Sequence, residues 1–193
     1  MTGSAAMAVR SELTRRSLPK VPAPGAYLDG LKPADRATGL HYAALLEQKI
    51  LKEGPETVLA FIVEPVGGAS TGALVPPAGY MDAIRDICTR YGVLLIYDEV
   101  MTGGGRTGKF FAAEHWAAVP DILVLSKGFA AGYAPLGAML AQDAIVETVL
   151  DSGGFIHGYT YSGNPSACPA GLAGVDQLEK QNLNANRAPS RRL

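Results

Sequence analysis

Apolar residues run along this chain in two rhythms. Residues 40–52 place Tyr42, Leu45, Leu46 and Ile50 on one helical face, and Gly54-Pro55 stops that helix. Residues 57–63 form a short apolar run of strand length, bounded by Pro65-Val66-Gly67-Gly68. A run apolar on both faces suits a central parallel strand covered by helices on each side. The alternation then repeats. Pro76-Pro77 precede a helix over 80–91, with Met81, Ile84, Ile87, Cys88 and Tyr91 at helical spacing, and Gly92 ends it. Residues 93–97 predict a second buried strand, followed by Asp98-Glu99; residues 122–125 predict a third, followed by Ser126-Lys127. Residues 136–141 predict a fourth strand and residues 143–150 a short helix. Asn164 caps a last helix with Pro165 at its first position, running to about residue 181. Pro169 in its second turn predicts a kink or a late start. Residues 1–38 read as irregular, because Pro19, Pro22, Pro24 and Pro33 with Gly25 and Gly30 forbid long helices. Helices alternating with buried strands predict an α/β fold, a mostly parallel sheet flanked by helices. Ligands of such sheets bind beyond the carboxyl ends of the strands, where Asp98 and Lys127 both stand.

Composition narrows the class. The 193 residues match one domain, or one and a piece of another. Hydrophobic residues are 48% of the chain, enough for a sizeable core, and charged residues only 18% against about 25% for a typical soluble domain. The 23 glycines and 13 prolines point to a buried piece with many tight turns. A net charge of −1 argues against a nucleic-acid footprint or a membrane surface as partner. The longest apolar runs fall far below the ~18 residues of a membrane span. Residues 1–18 mix Arg10, Glu12, Arg15 and Arg16 with small residues and hold no signal-peptide core, which predicts a cytoplasmic protein. Cys88 and Cys168 lie in different predicted elements and form neither a disulfide framework nor a zinc set, so no metal is expected.

Three features carry candidate chemistry. Gly103-Gly104-Gly105-Arg106-Thr107-Gly108 satisfies G-x-G-x-x-G, and with Lys109 it nearly satisfies a phosphate-cradling loop. The context rejects both. Phe110 stands where Ser or Thr would hold Mg²⁺, five residues separate the strand from the glycines, and no clear helix opens after them. The motif reads as a tight turn beside a ligand site. Asp98 follows a five-residue apolar strand and needs a donor or cationic partner if buried; a partly solvated strand end or a helix cap is the plainer reading. Lys127, flanked by small residues at the end of another strand, is either a surface lysine or a desolvated amine able to form a Schiff base. An amine and an acid on neighbouring strand ends fit pyridoxal phosphate. The lysine would hold the aldehyde carbon, and the acid would keep the pyridine nitrogen protonated.

Several stretches resemble class III aminotransferases, pyridoxal-phosphate enzymes of fold type I. They are Phe61-Ile62-Val63-Glu64-Pro65-Val66, Leu95-Ile96-Tyr97-Asp98-Glu99-Val100, Gly105-Arg106-Thr107-Gly108-Lys109-Phe110, Pro120-Asp121-Ile122 through Ser126-Lys127-Gly128, and His157-Gly158-Tyr159-Thr160-Tyr161-Ser162-Gly163-Asn164-Pro165. They stand in the family's order between about residues 57 and 181. The resemblance implies that Lys127 forms the Schiff base with the cofactor and then moves the substrate's proton. It implies that Asp98 partners the pyridinium nitrogen, Val100 packs on the ring and Glu64 organises polar neighbours. It implies that Thr160 reaches the cofactor phosphate of a neighbouring subunit, hence a homodimer with shared active sites. Glu99, Arg106 and Asp121 are expected as structural ion pairs and turn supports.

The sequence departs from the family in places. Met101 stands where a glutamine often donates toward the ring hydroxyl, and Ala69 where some members carry a second glutamate. The latter weighs against ω-amino-acid substrates handled through that glutamate. Family chains are considerably longer. Their N-terminal phosphate loop, ring-stacking aromatic, C-terminal domain and substrate-binding arginine are not found here. The expected organisation is therefore a central slice: residues 1–56 a partial lead-in with one helix, 57–181 the core of the cofactor-binding large domain, and 182–193 a non-family tail. The expected function is transamination between an amino acid or amine and an oxo acid, with weak or no cofactor binding by the isolated chain. Two alternatives stand beside it: another pyridoxal-phosphate reaction on the same scaffold (aminomutation, racemisation or decarboxylation), or a non-catalytic gene fragment.

Overall fold

The structure is a computed structural model that describes residues 18–183. The expected irregularity of residues 1–17 and the expected non-family character of residues 184–193 lie outside the described residues. The chain divides into two compact units, one of residues up to 59 with 67–93, the other of residues 60–66 with 94 onward.

Among the described residues, the first unit is built on two helices. Helix α1, Arg36–Glu53, begins at Asp35, whose carboxylate accepts from the Ala37 N–H at 2.9 Å. It starts four residues earlier than the apolar pattern predicts, because this cap extends it by a turn. Tyr42, Leu46 and Ile50 recur at four-residue spacing and are buried. Helix α2, Tyr80–Tyr91, matches its prediction and buries Met81, Ile84, Ile87 and Cys88. Gly92, left-handed at φ 66°, caps it and donates to the Cys88 and Thr89 carbonyls. The two helices meet at Glu47, which accepts from Arg90 at 2.5 Å and from the Tyr91 hydroxyl at 2.9 Å. The predicted strand start at residue 57 is not observed. Pro55–Thr57 is a 3-10 turn, and the Thr57 hydroxyl folds back onto the Glu53 and Gly54 carbonyls at 2.8 Å each.

The second unit holds the sheet. Its strands are β1 Ala60–Val63, β2 Leu94–Asp98, β3 Ile122–Leu125 and β4 Ala138–Ala141, in the order β1-β2-β3-β4. The first three run parallel, and β4 pairs antiparallel with β3. The fold is thus α/β with a mostly parallel sheet, closed by an antiparallel edge. Complete burial of both strand faces is not observed. Leu95, Tyr97, Leu123 and Leu125 are buried, while Leu94, Ile96, Ile122 and Val124 on the other face are half-covered. Helix α3, Asp143–Asp151, buries no residue, and helix α4, Ala167–Lys180, buries only Ala167 and Gly171, so the unit's own helices cover little of the sheet. Helix α4 lies against the turn that follows β3. The expected late start of this helix is observed. Asn164 accepts from the Ser166 and Ala167 N–H groups at 2.9 and 3.1 Å, and Pro169 falls in the first turn. There its missing N–H leaves no helical bond unmade. No helix among the described residues is long and apolar enough to cross a membrane.

Candidate active site

The pairing of the strands decides which side chains meet at the sheet's edge. Asp98, the last residue of β2, pairs with Val124 of β3. Lys127 follows three residues later and begins the 3-10 turn Lys127–Ala130. Val63, the last residue of β1, pairs with Tyr97, so Glu64 leaves the sheet beside Asp98. Glu64, Asp98 and Lys127 therefore stand at the carboxyl ends of three adjacent parallel strands, the edge where α/β sheets bind ligands.

Asp98 shares the half-covered face of Leu94 and Ile96, since side chains alternate along a strand. Its Oδ1 accepts from the Val100 N–H at 3.1 Å, which supplies the donor that a carboxylate at this place requires. Among the described residues it makes no ion pair, so Oδ2 can accept a further proton donor. Lys127 is exposed, and its Nζ donates to Met101 Sδ at 2.7 Å. The expected desolvation of this amine is not supplied by the described residues, because the turn lies at the sheet edge between the small Ser126 and Gly128. Its neighbour is a neutral thioether, a weak acceptor, rather than a carboxylate. The Lys127 backbone has φ 47°, a left-handed conformation that costs a residue with a Cβ about 1–2 kcal/mol. Val100 and Glu64 are half-buried. Thr160 lies exposed in a turn, and no hydrogen bond among the described residues ties its side chain to the sheet edge.

Two neighbouring acids are scaffold. Glu99 is fully buried and is not in an ion pair among the described residues. It accepts from the Thr102 hydroxyl at 3.0 Å and from the Ala112 and Ala113 N–H groups at 2.7 and 2.8 Å. The ion-pair expectation for it gives way to a turn support held by three donors. Asp121 accepts from the Leu95 N–H at 2.6 Å, tying the entry of β3 to β2. The tight-turn reading of the glycine stretch agrees with the structure. Residues 103–110 form turns and bends, and only a short 3-10 turn, Ala112–His115, follows. The contact between Met101 and Lys127 was not predicted from the sequence. The two are 26 residues apart, beyond any local pattern.

The donor set fits part of pyridoxal phosphate. An exposed amine with no carboxylate partner among the described residues suits the aldehyde, a carboxylate with an oxygen to spare suits the protonated ring nitrogen, and Val100, bonded through its N–H to Asp98, offers an apolar side chain nearby.

Known proteins are similar to this chain over most of its length. The family model described as "Aminotransferase class-III" matches residues 3–192. A diaminobutyrate–2-oxoglutarate transaminase of Halomonas elongata is 47% identical over 160 residues, which cover 80% of this chain and 34% of that protein. A putrescine–pyruvate aminotransferase of Pseudomonas aeruginosa is 42% identical over 145 residues, 75% of this chain and 32% of that protein. An (S)-enantioselective omega-transaminase from Thermomicrobium roseum superposes with a TM-score of 0.86 at 40% identity, over 95% of this chain and 42% of that one. The chain spans about a third of the length of the curated relatives it matches.

Proposed function

The chain belongs to the class III aminotransferase family, and from that premise we propose that it carries the amine-binding core of a pyridoxal-phosphate-dependent transaminase. The reaction moves an amino group from an amino acid or amine to an oxo acid. The relatives' names, for diaminobutyrate with 2-oxoglutarate and for putrescine with pyruvate, support that substrate class. The observation that carries the reading is the register of β2 on β3, with Asp98 opposite Val124 and Lys127 just beyond it.

Pyridoxal phosphate, when bound, supplies an aldehyde that captures amines and a cationic ring that withdraws electrons from the carbon beside the captured nitrogen. The chain's own residues do the rest. The Lys127 amine would hold the cofactor through its aldehyde carbon and would move the proton at the substrate's α-carbon. Asp98 keeps the proton on the ring nitrogen through its second carboxylate oxygen. Val100 packs on the ring face, and Glu64 orients polar groups at the same edge. The cofactor-binding core runs over residues 57–181. Thr160 serves the phosphate site of a second copy, which makes the working unit a homodimer; its exposure, with no side-chain hydrogen bond among the described residues, supports this role. The reaction takes place in the cytoplasm.

Reductive trapping tests the assignment. The 193-residue chain, expected to bind the cofactor weakly, is mixed with a large excess of pyridoxal phosphate, reduced with borohydride, digested and read by mass spectrometry. The cofactor mass is expected on the peptide that contains Lys127 and is absent from it in Lys127→Ala. Label spread over other surface lysines, with none preferred at Lys127, overturns the assignment. Incubation with an amino donor and a 2-oxo acid then separates transamination, which yields a new amino acid, from the other reactions of this cofactor.

A further inference from the structure

The glycine stretch takes no part in the chemistry above, yet its backbone lies against the turn that carries Lys127. A methyl group at Gly104 would sit 3.1 Å from both the carbonyl carbon and oxygen of Gly128. One at Gly128 would sit 3.3 Å from the Gly103 carbonyl oxygen. One at Gly103 would fall 2.3 Å from Leu125 Cδ2 and 3.0 Å from the Glu99 carbonyl oxygen. The contacts thus fall on both sides of Lys127, at Leu125 before it and at Gly128 after it. Gly104 itself has φ 73°, so a side chain there is strained as well as crowded.

Both partners in this contact are anchored. Gly103 N–H donates to the Glu99 carbonyl at 2.8 Å, and Gly104 and Gly105 donate to the Phe110 carbonyl at 3.0 and 3.3 Å. The buried Glu99 carboxylate ties the start of this loop, at Thr102, to its far end, at Ala112 and Ala113. The lysine turn is closed by Phe129 N–H donating to the Ser126 carbonyl at 3.0 Å. The Ser126 hydroxyl donates to the Leu136 carbonyl at 3.0 Å. A lysine at φ 47° persists only where its surroundings over-determine the backbone, and these contacts flank it on both sides.

We propose that Gly103, Gly104 and Glu99 are positioning residues: together they form a backbone clamp that holds Lys127 in its left-handed conformation and so sets where its amine stands at the sheet edge. The inference rests on reading Lys127 as the amine that holds the cofactor. It explains the adjacent glycines Gly103 and Gly104 by their close contact with the turn that carries Lys127 rather than by a bound phosphate.

Two measurements test it. The first needs no cofactor. Lys127→Gly and Lys127→Ala are compared by thermal unfolding, each alone and with Gly104→Ala. Glycine tolerates the left-handed state, so Lys127→Gly unfolds about 2–4 °C above Lys127→Ala. With Gly104→Ala that gap falls to under about 1 °C, because the clamp no longer imposes the strain. An equal gap in both backgrounds overturns the clamp. The second is reductive trapping of pyridoxal phosphate. Gly104→Ala lowers the rate of trapping at Lys127 by about tenfold or more, as expected for a misplaced reacting group, while label at the exposed Lys32 is unchanged. A folded variant that traps as fast as the parent chain overturns the proposal. If Gly104→Ala does not fold, Gly128→Ala applies a milder push from the opposite side and is read by the same two criteria. A parent chain that shows no preference for Lys127 sinks the functional reading, and the unfolding comparison still decides the clamp.

Discussion

Tyr42 shows how much one residue's surroundings decide. It is 2% exposed, and its hydroxyl donates to the Asp29 carboxylate. Burial and that carboxylate together push its phenol up to about 12 from an ordinary value near 10. The folded chain therefore keeps a proton that the unfolded chain gives up. The resulting stability is complete below about pH 10 and is lost as pH rises from about 10 to 12. Burial pushes the Tyr80 phenol up as well, which adds to the same loss. Unfolding midpoints measured across this range should fall with pH, and less steeply in Tyr42→Phe; equal slopes would contradict the assignment. The helical spacing of residue 42 was legible in sequence, but Asp29 as its partner was not. Asp98 and Lys127 divide the same way. Their places after apolar runs were legible, whereas the thioether beside the amine comes from a contact across 26 residues, and no local pattern marks the left-handed lysine backbone.

Elements were legible where a local rhythm determines them. Helix α2 and strand β3 have their predicted limits because their apolar spacing and their end signals agree. Helix α1 and strand β1 differ at their ends, where a capping aspartate and a back-folded threonine hydroxyl decide. Gly39 makes the same point with a sign. In the interior of a helix, glycine-to-alanine replacement ordinarily gains up to about 1 kcal/mol. Here the new methyl would fall 2.0 Å from the Ala78 carbonyl oxygen and 2.8 Å from the Tyr80 nitrogen, both backbone atoms at the entry to α2. Gly39→Ala is expected to destabilise the chain by about 2 kcal/mol or more, since two backbones must part. A denaturant midpoint at or above that of the parent chain would show that the approach is looser than this.

At the scale of the molecule, apolar side chains remain in solvent. Tyr133, Ile156 and Tyr161 are 89%, 92% and 80% exposed, and Phe155 and Tyr159 stand in the same stretch as the latter two. Exposed apolar surface of this kind favours association, in keeping with the homodimer proposed from Thr160. Sedimentation velocity should show the chain self-associating as concentration rises, and Ile156→Arg should shift it toward monomer; a monomer throughout the range would count against the dimer. The sequence by itself determined the order and kind of the elements, the edge of the sheet that carries the acid and the amine, and the family. Each is written in short apolar periods and in words of a few residues. The tertiary structure alone decided the antiparallel setting of β4, the register that puts Asp98 opposite Val124, the three donors on buried Glu99 and the close approach of Gly103 and Gly104 to the turn that carries Lys127. These depend on contacts between residues distant along the chain, whose geometry no local pattern of side chains specifies.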